Sequence, residues 1–428
     1  MCIYAARGDF WDLLGGALAR HDPGPAVPLR LCYDAFTHPE RTYSTLHAGV
    51  DRAFAALPAV TAPRWLIPLA FAALRLDLLG DYRHACKVMI EAEQRVGGSN
   101  AVVLAGLLLL STDSFAHGQW DDSEALAREG LDLAAAYGYH LIEAQLRIRQ
   151  AFVAAVRGDA AAARALTDEV TTWAVPRGLG LTQAFARHAR VLAALAEGDY
   201  EEAYSQASWI GRPEIPSTGI PGRWLVLDLV EADVHTGRTE RARAHVAAAR
   251  RAGLFHASPR TELIAAGAAA LAAPDDEAGP LFAAALSRPE AERWPWEQAR
   301  IHLAYGRWLR RARDTTAARL HLRAAAETFE RLGARPWARR AHDELRATGL
   351  AAGTPERRPA ALTAQERQIA ELAATGMTNK QIGERLFLSH RTVGAHLHRL
   401  FPKLGITSRA ALRDALRAVR PQEPPPPP

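Results

Sequence analysis

Five glycines recur along the chain at a near-constant interval, in "LLGDYRHA", "AHGQWDDS", "VRGDAAAA", "AEGDYEEA" and "HTGRTERA". Gly80, Gly118, Gly158, Gly198 and Gly237 are spaced by 38, 40, 40 and 39 residues, and five residues after each comes a small side chain: Ala85, Ser123, Ala163, Ala203 and Ala242. Weaker beats fall near Pro274 and at "RARDTTAA", where Ala318 follows Arg313 by five. A period of this length means a stack of similar supersecondary units, each too small to bury its own apolar face. Each glycine follows an apolar helical run and precedes a shorter amphipathic one, which predicts a helical hairpin. The glycine supplies the left-handed residue that ends the first helix, the Asp that often follows caps the second, and the small residue lets the two helices approach closely. The expected class is all-α, an α-solenoid of helical hairpins over residues 1–348.

The pattern resembles tetratricopeptide repeats, although its period is nearer 40 than the ~34 of that family and the full motif is missing. The body is therefore read as tetratricopeptide-like. Ten tryptophans occur in the chain, with Trp294, Trp296 and Trp308 crowded near the seventh beat. They fit either a groove for a peptide or an aromatic ligand or an interhelical core, and the core is the commoner use of such rings.

Composition narrows the setting. A chain of 428 residues exceeds one ordinary core and should divide into two or three domains. No run of 18 apolar residues occurs, so no transmembrane helix is expected, and Asp9 and Asp12 interrupt the N-terminus before a signal sequence could form. The three cysteines at 2, 32 and 86 fit a reduced, cytoplasmic chain that does not engage membranes.

After Gly349 the text turns to a linker over 349–361, then to a module over 362–420, and it ends in the proline tail 421–428, expected to be disordered. Residues 355–420 hold 12 Arg plus Lys and 5 Asp plus Glu, net +7, against 40 and 41, net −1, in residues 1–354. A compact basic module on a near-neutral body is the electrostatic outline of a nucleic-acid binder. Lysine occurs only three times and asparagine twice, yet Asn379, Lys380 and Lys403 all lie in this module.

Four short helices are predicted there. Thr363 with Glu366 and Thr378 with Gln381 form two capping boxes, Gly376 stops the first helix, Ser389 caps the third, and Ser408 caps a fourth running to about Val419. Helices two and three are separated by only "LS", so they cross steeply, as in a helix-turn-helix whose second member enters the major groove. On that member Val393, Leu397, Leu400 and Leu404 share one side, and Arg391, Ala395, His398, Arg399 and Pro402 the other.

"LTAQERQIAELAATGMTNKQIGERLFLSHRTVGAHLHRLFPKLGITSRAAL" resembles the LuxR-type helix-turn-helix of bacterial transcription regulators over about 55 residues, through its Leu-Thr start, Glu366, Gly376, "TNKQI", "LFLSHRTV", His396 and "KLGITSR". The resemblance implies double-stranded DNA as partner and phosphate contacts from Thr378, Asn379 and Lys380. Where that family commonly has lysine or glutamate after the Thr-Val pair, this chain has Gly394. Lys403 and Arg409 flank the recognition helix and join the phosphate set. Arg391, His398 and Arg399 surround Ala395 on the groove side and are assigned to base edges, and Thr392 and His396 complete the candidate DNA-binding set.

The remainder resembles the helical-repeat region preceding this module in the large ATP-binding LuxR regulators. The chain contains no Gly-Lys dipeptide, so no usual phosphate-binding loop can be written and no cofactor is expected. A shortened regulator and the C-terminal half of a longer one both stay open. The repeats are expected to sense an effector, protein or small molecule, or to mediate assembly. The last helix, with Leu412, Ala415, Leu416 and Val419 on one face, is expected either to pair two copies on DNA or to close its own domain.

No enzyme is expected. His390, His396 and His398 suggest a metal cluster by eye, but spacings of six and two scatter them over different helical faces. The alternative reading is a protein-interaction adaptor whose basic module is incidental.

Overall fold

The computed structural model describes residues 8–20, 23–37, 43–56, 63–211, 220–349 and 364–386, together with His390, Val393, Leu397 and Leu412. The fold is all-α, with no strand among the described residues, and contacts divide the chain into two compact units, Met1–Gly349 and Leu350–Pro428. No helix among the described residues is long and apolar enough to cross a membrane.

Within the first unit the glycine beat becomes a helix-ending device. The helices Asn100–Ala116, His140–Arg157, Gly180–Glu197 and Val226–His235 run into Gly118, Gly158, Gly198 and Gly237, whose φ values are +73°, +89°, +82° and +76°. At each, the following N–H reaches back to close the last turn: Asp159 N donates to Ala154 O at 2.8 Å and Asp199 N to Ala194 O at 2.9 Å. That closure satisfies carbonyls the helix end leaves unpaired. The same aspartates then cap the next helix, Asp159 Oδ1 accepting from Ala162 N and Asp199 Oδ1 from Glu202 N, both at 3.0 Å. Ser123, Ala163, Ala203, Ala242 and Ala318 are fully buried where the paired helices meet.

The beat departs from the expected form at two ends. Gly80 is not left-handed; it lies in the 3-10 turn Leu79–Tyr82, and Asp77 three residues earlier takes φ +58° instead. Arg313 adopts φ +66° in the place of a glycine, and Asp314 after it caps Ala317 N at 3.0 Å. Between the hairpins, Gly138 and Gly178 are left-handed too, so the structural period is one glycine per helix, every 20 residues from 118 to 198.

Two of these glycines should respond differently to a methyl group. A Cβ added at Gly138 would meet nothing within 4 Å, whereas at Gly158 it would sit 2.5 Å from Pro336 Cγ and 2.9 Å from its Cδ. Gly138→Ala is expected to cost about 1 kcal/mol through its backbone alone. Gly158→Ala adds overpacking against a rigid ring, for a total of about 2–3 kcal/mol. Equal losses in denaturant titrations of the two variants would show that Pro336 moves freely aside.

Contacts distant in sequence tie the hairpins together beyond nearest neighbours. Gly118 packs beneath Leu332 and Pro295, Arg340 donates to Leu195 O and to Ala196 O, and Arg223 donates to Arg75 O. An array joined only through adjacent repeats would hold none of these. Trp120, Trp296 and Trp337 meet edge to face, with Trp296 5.6 Å from Trp120 and 4.7 Å from Trp337. Trp294 and Trp296 are buried, so the core use of those rings prevails there; Trp308 is only half-buried.

A charged network lies inside this core. Asp228 accepts from Arg300 at 2.6 Å and contacts His188 Nε2 at 2.9 Å; Arg300 also donates to Glu231, and Arg260 meets Glu297 Oε1 through Nε and Nη2 at 2.9 and 2.6 Å.

Candidate nucleic-acid interface

The second unit builds its described part from two helices, Ala364–Ala374 and Asn379–Leu386. The first ends because Gly376 turns left-handed, φ +92°, with Thr375 N and Gly376 N closing onto Glu371 O and Ala373 O at 3.2 Å each. The second begins with a reciprocal capping box. Gln381 N donates to Thr378 Oγ1 at 3.3 Å, while Gln381 Oε1 accepts from Thr378 N at 2.8 Å and from Thr378 Oγ1 at 3.0 Å. Thr378 is thereby fixed as the residue that opens the helix. The other proposed box, Thr363 with Glu366, lies outside the described residues and side chains.

One apolar seam holds the unit. Ile369, Ala370, Ala373 and Ile382 are buried with Val393, Leu397 and Leu412. Val393 and Leu397 are helical and four residues apart, so they present one face inward; Leu400 and Leu404 lie outside the described residues. Leu412 is fully buried in this seam and so serves to close its own unit.

Burying Ile382 aims the start of the same helix outward. Thr378 and Lys380 are exposed and Asn379 is half-buried, which brings three candidate residues together at one helix N-terminus. Backbone N–H groups there carry partial positive charge and suit an anionic oxygen. Lys380 adds a full charge and has no hydrogen-bond or ion-pair partner among the described residues. Arg385, exposed in the last turn of this helix, is a further cation outside the candidate set, and no motif singles it out. Arg391, Thr392, Ala395, His396, His398, Arg399, Lys403 and Arg409 lie outside the described residues. His390 is exposed; His396 and His398 are not described, and no group of three His, Cys, Asp or Glu among the described residues could hold a metal ion.

Comparison with known proteins bears on this unit. Residues 360–415 match the family described as bacterial regulatory proteins, luxR family. The chain is 45% identical over 60 residues to an HTH-type transcriptional regulator of Mycobacterium tuberculosis, covering 14% of this chain and 7% of that protein. It is 43% identical over 63 residues to the DNA-binding transcriptional activator DevR/DosR of Mycobacterium tuberculosis, covering 14% and 29%. Over 50 residues it is 44% identical to a nitrate/nitrite response regulator protein homolog of Haemophilus influenzae, covering 12% and 24%. The chain thus spans less than a third of the length of each of these relatives, and only 7% of the first. The capped helix pair, the buried seam and the family match converge on one conclusion: residues 360–415 are a helix-turn-helix domain of the LuxR family of bacterial regulatory proteins.

Proposed function

We propose that the chain is a sequence-specific DNA-binding regulator of transcription, with residues 362–420 engaging double-stranded DNA and the helical repeats sensing an effector or mediating assembly. The observation that carries this reading is the helix Asn379–Leu386, capped by its own Thr378–Gln381 exchange and opening on Lys380, which has no partner among the described residues. Thr378, Asn379, Lys380, Lys403 and Arg409 contact phosphate. Arg391, His398 and Arg399 read base edges around Ala395, whose methyl suits a thymine methyl, and Thr392 and His396 lie on the same surface. The regulator acts in the cytoplasm as a homodimer on half-sites about one helical turn, ~10 bp, apart. Leu412 is committed to its own core, so the two copies pair through other residues. Catalysis and cofactor chemistry are not part of the reading.

Two measurements divide the work of these side chains. Lys380→Ala is expected to weaken all sequences alike and to flatten the slope of log affinity against log salt by about 0.9, one phosphate's worth of released counterion. Arg391→Ala is expected to cost about 1–3 kcal/mol on the preferred site and to relax preference at one base pair. Binding-site selection with wild type and Arg391→Ala tests the assignment: identical sequence preferences with uniformly lower affinity would move Arg391 into the phosphate set. Absence of any shift of duplex DNA by the wild-type chain would favour the adaptor reading.

A further inference from the structure

The repeat unit encloses a half-open cavity of about 210 Å³ among the helices Val226–His235, Pro259–Ala272, Asp275–Leu286, Pro295–Arg311 and Arg335–Ala347. Cavities of about 150 Å³ take a benzene ring, so this one has room for a ring and a small polar head group. Its walls include Phe282, which is buried, Trp308, which is half-buried, and the fully buried Trp337. The Trp308 ring lies against the backbone of the helix Asp275–Leu286 because residue 279 is glycine; a Cβ there would come within 2.7 Å of Trp308 Cη2. The Trp337 indole N–H is buried and, like those of Trp224 and Trp294, has no acceptor among the described residues.

The charged groups on the lining are not equivalent. Arg300 is answered by Asp228 and Glu231, and Arg307 by Glu344 Oε1, 3.0 Å from its Nε. Arg307 Nη1 also lies 2.6 Å from His235 Nε2, while His235 Nδ1 lies 2.8 Å from Glu231 O. His235 therefore donates from Nδ1, accepts at Nε2 and is neutral, in keeping with a pKa lowered by burial. Two lining groups are left over. Arg311, one turn beyond Arg307, and Asp275, at the start of the facing helix, are both exposed and have no hydrogen-bond or ion-pair partner among the described residues.

One cation and one anion left unengaged at an aromatic cavity of this size describe a zwitterion with an apolar body. We propose that the cavity binds a free α-amino acid with an aromatic or large branched side chain, its carboxylate on Arg311, its ammonium on Asp275 and its side chain among Phe282, Trp308 and Trp337. Helix-end charges alone would account for Asp275 and Arg311 separately. They would not account for the ring-lined space that both of them border. This inference names the ligand class for the effector part of the proposed function, and it rests on that reading only for its consequence at DNA, not for binding itself.

Calorimetric titration of the full chain without DNA tests it, using L-phenylalanine, phenethylamine, which lacks the carboxylate, and 3-phenylpropionate, which lacks the ammonium. L-Phenylalanine should bind about threefold more tightly than either analogue, the discrimination expected of one ion pair to an exposed side chain. Arg311→Ala should erase the advantage over phenethylamine and keep that over 3-phenylpropionate; Asp275→Asn should do the reverse. Both residues are exposed, so neither change threatens the fold. No binding of L-phenylalanine at about 10 mM, equal binding of the three compounds, or variants that leave the ranking unchanged would each overturn the proposal. Because DNA is absent from the titration, its failure leaves the DNA-binding reading standing, and failure of that reading in a gel shift leaves this one standing.

Discussion

Replacing Arg300 by alanine is expected to lower the unfolding free energy of the repeat unit by about 3–5 kcal/mol, the usual cost of removing one partner from a buried charged set. Its side chain is only 5% exposed and reaches Asp228, 1% exposed, and Glu231, 13% exposed. Burial alone would raise both carboxyls; the Arg300 guanidinium, joined by His188 at Asp228 and by Arg340 at Glu231, more than offsets it, and each carboxyl is held below the ordinary carboxylate range. In the wild type these depressed values add stability that is present above the unfolded pKa and lost as pH falls through the folded one. In the variant the two carboxylates lose that partner, burial pushes their pKa values upward, and the ionised forms become costly at neutral pH. The gap between wild type and variant should therefore be widest near pH 7.5 and narrow as pH falls toward 5. A gap below about 1 kcal/mol, or one that does not change with pH, would mean that water or His188 replaces the guanidinium without loss. Neutralising all three, with Arg300→Met, Asp228→Asn and Glu231→Gln together, should recover much of what the single change loses.

That network also marks where the sequence stops being informative. Glycine as a helix terminator, aspartate as the following cap and alanine at the crossing are local devices whose chemistry is complete within about six residues, so a beat in the text becomes a beat in the fold. The Thr378–Gln381 exchange is legible for the same reason, and so are Val393 and Leu397 as one buried face. Arg300, Asp228 and His188 are separated by 72 and 40 residues, and none sits in a motif. Their meeting depends on how the hairpins wind, which short-range periodicity does not encode. Gly80 shows the opposite failure. It has the right neighbours and the right spacing, but Asp77 takes the left-handed position and Gly80 enters a 3-10 turn. Arg313 and Asp77 both hold φ values that cost a side-chain-bearing residue about 1 kcal/mol, so the surrounding packing and not local preference sets the helix end there. In the LuxR-family domain the scaffold helix opens as the motif implies, and the groove-facing candidates beyond His390 rest on their sequence pattern.

A charge placed in the seam of that domain should remove the proposed DNA binding while sparing the repeats. Ile382 is fully buried among Ile369, Ala370, Ala373, Val393, Leu397 and Leu412, and every member of this seam belongs to the second unit. None of them appears in the large apolar core that runs from Phe115 to Ala341. Ile382→Asp loses an aliphatic side chain and buries a carboxyl that no described residue of the seam can pair, which together cost several kcal/mol. A core this small supplies about 3–5 kcal/mol in all, so the substitution should leave the domain unfolded. Duplex binding by the full-length variant is expected to fall more than about 100-fold, as in a change that exceeds roughly 2.7 kcal/mol. The main melting transition of the repeat unit should stay where it is, because no buried contact of its core has changed. Gln381→Ala provides the graded comparison: it removes only the capping partner of Thr378 and should lower the domain's stability by about 1 kcal/mol with the fold retained. Should Ile382→Asp bind the same duplex within about threefold of wild type, the helix Asn379–Leu386 is not the scaffold that positions the DNA-reading helix, because a scaffold cannot lose its buried face and still hold its partner in place.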